Sequence, residues 1–204
     1  MRKDTRLSAG VLDLHVRESN AIEGIGGEWN FLRQRWDDPY VPPCYLHGHL
    51  QAAGFVASDP AAALDDPRKV HARLFMPIDR RHAGRYRTDA LMRVGERIMP
   101  HPRHVEALMA DWIGCVQGFM RDTGFASLPE DKAHSALMLH NMFLCIHPFE
   151  DGNGRTARLL YNAVRLLSGL DWLVIRACNS DHYMDQLEVY EDTVFRPRYA
   201  HVYP

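Results

Sequence analysis

Apolar residues recur at helical spacing through most of the chain. Leu7, Val11 and Leu14, with Glu18 one turn further on, predict a helix over residues 5–20, which Gly24, Gly26 and Gly27 then break. The stretch 36–67 carries Pro39, Pro42, Pro43, Pro60 and Pro67, and predicts turns around a short helix near 47–57. Val70, Leu74 and Phe75 restore the helical period from Lys69 to about Ile78, where Pro77 and the run Asp79, Arg80, Arg81 end it. Four further helices follow. Residues 104–123 align Val105, Leu108, Trp112, Val116 and Phe119, and residues 129–145 align Ala133, Ala136, Leu137, His140, Phe143 and Leu144. Residues 155–167 align Leu159, Leu160, Ala163, Val164 and Leu167 before a stop at Gly169. From about residue 180, Tyr183, Leu187 and Tyr190 fall at i, i+4 and i+7. The tail after Phe195, with Pro197 and Pro204, predicts irregular chain or a shortened helix end.

Residues 86–99 break the period. Tyr86, Thr88, Ala90 and Met92 share one side at a spacing of two, and Arg97, Ile98 and Met99 follow a turn at Gly95 and Glu96. The pattern predicts a hairpin bounded by Gly84 and Pro100. A lone hairpin builds no core, so it is expected as a flap on a mainly α-helical body, with an edge free to pair. The 204 residues contain no internal repeat and suffice for one domain with a real core.

Composition narrows the partners. With 24 Lys plus Arg against 26 Asp plus Glu, no broad basic field points to a nucleic-acid backbone. Cys44, Cys115, Cys145 and Cys178 form no CxxC pair and read as reduced, mostly buried thiols. No apolar stretch has the length of a signal peptide core or a membrane span, so a cytoplasmic location without membrane contact is expected.

The densest chemistry lies at residues 147–158, HPFEDGNGRTAR. Pro148 ends the preceding helix near His147. Gly152 and Gly154 bracket Asn153 and permit a tight turn, after which a helix starts near Arg155 with its free N–H groups forming an anion site. Arg155 and Arg158 lie three apart on that first turn, against the macrodipole preference, which an anion between them would resolve. Asp151 offers a hard oxygen ligand suited to Mg²⁺ on phosphate, and His147 has a side-chain pKa suited to taking a hydroxyl proton. Together these imply attack of a hydroxyl on phosphorus. Each residue alone is commonly a cap, a turn or a packing residue; twelve positions holding all of them are not. The P-loop ending Lys-Ser/Thr is missing.

This segment resembles the signature HxFx(D/E)GNGRxxR of the Fic (filamentation induced by cAMP) family at every fixed position. The resemblance runs from about Leu64 to Tyr190 and includes Ala83, Gly84, Tyr86 and Arg87 ahead of the flap, the run His140, Phe143, Ile146, and Tyr183. It implies a helical-bundle Fic core over residues 64–195, with a flap at 86–99 and an active-site loop at 147–158, preceded by an N-terminal region, 1–63, and followed by a tail, 196–204. It also implies transfer of AMP from ATP to a Ser, Thr or Tyr hydroxyl of a protein. His147 would then be the general base and Asp151 the Mg²⁺ ligand. Gly152, Asn153 and Gly154 would cradle the nucleotide phosphates. Arg155 would hold the β-phosphate, Arg158 the γ-phosphate, and Tyr183 would border the adenine. The flap would hold the target, an unidentified protein, with the chain itself as one candidate. Family relatives that transfer UMP or phosphocholine, or remove AMP, supply the alternatives. The kinase branch has a different loop. A peptide-binding module is the alternative outside enzymes, and family members often dimerise.

Ser19, Glu23 and Gly24 match the family's inhibitory motif (S/T)xxxE(G/N). The resemblance therefore implies an inhibitory helix at about 5–23 that offers Glu23 to Arg158. A carboxylate there would occupy the guanidinium and repel the γ-phosphate. The remaining features read as structural. The pairs His47/His49, His101/His104 and His134/His140 lack metal-site spacing, and His140 packs or supports the loop. Trp29, Trp36, Trp112 and Trp172 are expected in packing, and Arg80, Arg81, Arg85 and Arg87 as a solvated run.

Overall fold

The structure, a computed structural model, describes residues 7–26, 28–30, 35–37, 41–88, 91–122 and 128–204. It is mainly helical, as the periodicity predicts. Helix α1 spans Ala9–Ile22, opened by Ser8, whose hydroxyl accepts from the Val11 amide. Strands β1 (Glu28–Asn30) and β2 (Arg35–Asp37) pair antiparallel with Trp29 opposite Trp36, a ladder the proline and glycine signals of this region did not reveal.

The proline-rich stretch is far more helical than expected. Helices α2 (Pro43–Ser58), α3 (Pro60–Asp65) and α4 (Pro67–Phe75) each begin on a proline, where the missing N–H has no helical partner to lose. Asp59 caps α3 through Ala62, and Asp66 caps α4 through Arg68. Thus Pro60 and Pro67 start helices instead of marking loops.

Helices α5 (Val105–Asp122), α6 (Pro129–Ile146) and α7 (Asn153–Leu167) complete the core. α7 lies between α6 on one side and α2, α3 and α4 on the other, and α5 covers α6. Trp112 of α5 is buried and donates from its indole N–H to the Leu139 carbonyl, 2.8 Å away. Glycine at 48 lets α2 lie directly on α4, because a Cβ there would collide with the Leu74 carbonyl oxygen. Helix α8 (Ser180–Tyr190) continues into a π-helical turn, Glu191–Phe195, and then α9 (Arg196–Tyr199). The tail is not irregular: Tyr199 and Val202 are buried, and the Val202 carbonyl accepts from the His101 amide at 2.8 Å.

The hairpin exists but is shorter than predicted. Only β3 (Arg93–Val94) and β4 (Arg97–Ile98) pair, around Gly95 at φ 60°, with one further bond from the Met99 amide to the Met92 carbonyl. Residues 86–88 do not join it, because the Arg87 amide donates to Pro148 in the body. Ala90 lies outside the described residues. All four cysteines are free, with Cys145 buried and Cys178 exposed. Among the described residues no helix is long and apolar enough to cross a membrane.

Candidate active site

The site forms where α6 gives way to α7. His147 closes α6 in the left-handed region at φ 51°, the one non-glycine at positive φ among the described residues. Such a backbone costs about 1–3 kcal/mol and needs outside support. Arg87 supplies it. This residue is 2 % exposed, and its Nε donates to the His147 carbonyl at 2.7 Å. Its Nη2 donates to the carbonyls of Pro100 (2.6 Å) and Ile146 (3.4 Å). Arg87 is therefore a buried clamp between the end of α6 and the base of the flap, and the expectation of a solvated residue is corrected.

Asn153 and Phe149 shape the loop. The Phe149 amide donates to Asn153 Oδ1 (2.9 Å) and Asn153 Nδ2 donates to the Phe149 carbonyl (2.8 Å), a reciprocal brace across the turn. Phe149 is fully buried, stacked on His71 with ring centroids 3.8 Å apart. His71 Nδ1 accepts from the Gly84 amide (2.9 Å), so its proton sits on Nε2 and is donated to the Asp151 carbonyl (3.0 Å). Burial pushes its pKa down to about 4, keeping this bridging tautomer neutral. No local pattern marks His71, whose partners lie 13 and 80 residues away.

Only one of the two loop glycines is needed for its backbone. Gly152 caps α7 at φ 75°, and a Cβ there would stand 2.9 Å from Phe75 Cε2. Gly154 is already helical; its missing side chain makes room for Glu23, since a Cβ would collide with Glu23 Oε1.

The two arginines of α7 are both buried but face different surroundings. Arg158 Nε donates to Ser19 Oγ (2.8 Å), and its Nη2 donates to the Ser19 carbonyl (2.8 Å) and to Glu23 Oε1 (2.6 Å). Burial raises the Glu23 pKa, but the charge and hydrogen bond of Arg158 outweigh it, and the carboxyl stays below its usual range. Arg158 also hydrogen-bonds Tyr183, whose hydroxyl donates to His140 Nε2 at 3.0 Å. His140 in turn donates from Nδ1 to Asn141 Oδ1, in support of the site as its place on α6 suggested. Arg155 points the other way, beneath Tyr45 and Phe75. Its Nη2 donates to Asp151 Oδ1 at 3.3 Å, while its Nε and Nη1 are buried without partners. Burial lowers its pKa.

His147, Gly154, Arg158, Glu23 and Tyr183 line one cavity of about 140 Å³, together with Ile22 of α1 and with Val94 and Arg97 of the flap. Arg97 was not singled out in the sequence; its Nη1 donates to the buried Glu191 at 2.9 Å. Burial first, and then the charge of Arg87, lowers the His147 pKa to about 4, so the imidazole is neutral. Asp151 and Arg155 are not among the residues lining this cavity, and the Asp151 side chain is 61 % exposed. Among the described residues no three His, Cys, Asp or Glu converge as a metal cluster. A larger hollow of about 480 Å³, lined by Arg68, Tyr86, Arg103 and Glu106, contains none of residues 147–158.

The family model described as Fic/DOC matches residues 62–164. A protein from Culex quinquefasciatus named protein adenylyltransferase Fic is 31% identical over 137 residues, which are 66% of this chain and 25% of that protein. A protein of the same name from Nematostella vectensis is 28% identical over 200 residues, 90% of this chain and 44% of its own length. The chain thus spans a quarter to under half of these curated relatives. Among solved structures, Fic-1 (residues 134–508) from C. elegans superposes with a TM-score of 0.67 at 25% identity, covering 94% of this chain and 58% of that one. A Fic domain containing signalling protein from Bacteroides thetaiotaomicron shares the fold, with a TM-score of 0.66 at 20% identity over 88% of this chain and 71% of that one.

Proposed function

The chain belongs to the Fic/DOC family, and on that premise we propose that it transfers AMP from ATP to a Ser, Thr or Tyr hydroxyl of a protein, its own chain among the targets, with Glu23 holding the reaction in check. The similarity to proteins named adenylyltransferases supports this reading. The observation that carries it is the pair of guanidinium groups at the start of α7. Arg155 is buried with two N–H groups unmet, and Arg158 is taken by a carboxylate from the chain's own N-terminal helix. A buried cation with unmet donors is costly unless an anion arrives.

The neutral imidazole of His147 takes the hydroxyl proton as the target oxygen bonds to the α-phosphorus. The bond from that phosphorus to the bridging oxygen breaks, and pyrophosphate leaves with the electron pair. Arg155 meets the β-phosphate and Arg158 the γ-phosphate. The amides of Gly152, Asn153 and Gly154 line the phosphates at the start of α7. Tyr183 borders the adenine. The flap edge offers main-chain pairing to the target segment. The exposed Asp151 carboxylate fits Mg²⁺ arriving with the nucleotide, since such sites join one or two carboxylates to substrate phosphates and water. Held there by Asp151, Mg²⁺ would supply positive charge to offset that of the phosphates.

Glu23 blocks this in two ways. It occupies Arg158, and it sets a negative charge over Gly154 at the positive end of α7, where a phosphate would be stabilised. The cavity left beside it, about 140 Å³, is well under the roughly 300–1,000 Å³ of ordinary ligand sites. Incubation with labelled ATP tests the reading. Glu23→Gly should raise AMP incorporation at least about tenfold, a shift of about 1.4 kcal/mol. Adding His147→Ala should then remove about 10²–10⁴ of it while ATP still binds. Equal labelling of the wild type and Glu23→Gly would remove the inhibitory role; undiminished labelling with His147→Ala would remove the base.

Because ionised Glu23 and neutral His147 share one cavity, a second reading has Glu23 orient water to release AMP from a modified target. Release by the wild type and not by Glu23→Gly is expected; the reverse pattern rules it out.

A further inference from the structure

Helix α1 brings Ser19 and Glu23 to Arg158 on a face that is part apolar and part polar, with Val11 and Leu12 partly buried against the core. Val16 is its one buried apolar residue; the others buried are His15, Glu18, Ser19 and Asn20. Leu14, which the apolar pattern would turn inward, is 38% exposed. Glu18 is fully matched: Oε1 accepts from Arg176 Nη1 (2.9 Å) and Oε2 from the Ala177 amide (2.8 Å). Ser19 is matched by Arg158. The rest of the seam is only half satisfied. His15 meets His49 of α2 edge-on, ring centroids 5.7 Å apart, and Trp172 at 5.1 Å. His49 Nδ1 donates to Asn20 Oδ1 across 3.3 Å. His15 Nε2, His49 Nε2, Asn20 Nδ2 and Trp172 Nε1 are all buried without partners. Such a seam stabilises docking less than apolar packing of the same extent.

The charges around the two imidazoles are cationic. Arg158 of α7 acts on His15, and Arg155 and Arg158 of α7 act on His49, which also faces His15. The acids of α1 and its C-terminal end are committed elsewhere, Asp13 to Arg17, Glu18 to Arg176 and Glu23 to Arg158. A proton on either ring would add a buried cation to this group.

We propose that the closure of α1 over Arg158 is proton-linked: the closed form requires neutral His15 and His49, and protonation of either releases α1 and frees the arginine. This deepens, and rests on, the reading of Glu23 as the inhibitory residue. The sign follows from burial. In the docked form burial first, and then Arg158, holds His15 at about 3, and His49 lies well below its ordinary 6.5. In released α1 both rings return toward 6.5, so the docked form binds fewer protons. Docking is therefore complete above pH 6.5 and weakens below it. From pH 8 to pH 6 each ring contributes about fourfold and the two about fifteenfold. Glu23, held below the usual carboxylate range, stays ionised throughout and adds nothing.

Hydrogen exchange of the amides of residues 15–20, corrected for intrinsic rate, reads the release directly. Wild-type protection should fall about fifteenfold from pH 8 to pH 6. Amides of α6 should remain better protected at both values, marking the opening as local. In His15→Gln/His49→Gln the fall should be under about twofold. Should that pair lose α6 protection, His15→Gln alone should show about fourfold. A flat wild-type profile, or an equal fall in the variants, overturns the latch. AMP labelling of the wild type and Glu23→Gly at the same two pH values separates the premises. If α1 opens in acid while wild-type labelling does not approach that of Glu23→Gly, the latch stands and the inhibitory reading falls.

Discussion

Two buried guanidinium groups that meet the loop from different parts of the chain illustrate how position outranks residue type. Arg158 exchanges its water for Ser19, Glu23 and Tyr183, while Arg87 exchanges it for three carbonyls, two at the end of α6 and one at the base of the flap. The Arg87 clamp matters because His147 must hold a backbone conformation that it does not favour. Arg87→Lys keeps the charge but loses the fork, and should cost about 2–4 kcal/mol in urea unfolding, since it strands buried carbonyls. In the Glu23→Gly background it should also lower kcat for AMP transfer more than it changes the KM for ATP. A kcat loss that matched only the loss of folded protein would make Arg87 purely structural. None of this was legible in the sequence, where Arg87 stands in a run of arginines. Residues 147–158 were legible because their chemistry is local. Arg87, His71 and Glu18 act on partners up to 159 residues away, and no spacing rule reaches that far.

At the scale of elements, the helical period foretold most helices, but it did not say what each face would meet. The residues Leu7, Val11 and Leu14 announced α1 correctly, while the residues it buries completely, Val16 apart, proved polar. The period of two over 86–92 promised a longer strand, but Arg87 gives both its amide and its guanidinium to the body, leaving β3 and β4 two residues each. The fit of α1 on α7 depends on the bare Cα of Gly154. Alanine there suits the helix better by about 1 kcal/mol, yet its methyl would displace the Glu23 carboxylate. Gly154→Ala should therefore loosen α1 without weakening α7. Trypsin cleavage after the exposed Arg17 reads this: the variant should be cut about tenfold faster than the wild type. Adding Gly154→Ala to Glu23→Gly should change nothing further, because no carboxylate is left to displace. Additive acceleration in the double variant would show that the methyl acts on something other than Glu23.

Across the whole molecule, five histidines, four of them fully buried and His147 partly so, share one property. His15, His49, His71, His140 and His147 are all held below the ordinary imidazole range, with burial the largest cause each time. Each is a neutral ring in the fold, so the folded chain binds fewer protons than the unfolded one below pH 6.5. Stability from this source is complete above that value and is lost as the pH falls. Between pH 6.5 and 5.5 each ring costs about 1 kcal/mol, and the five together about 5 kcal/mol, comparable with the whole stability of a small domain. Urea titrations at pH 7.5, 6.5 and 5.5 should show the unfolding free energy dropping steeply over the last step with the denaturant slope unchanged. A drop below about 1 kcal/mol would mean that the rings keep their protons on folding. Opening α1 solvates only two of the five, so it should precede global unfolding as the solution is acidified, and the release of Arg158 falls within the range where the core still holds.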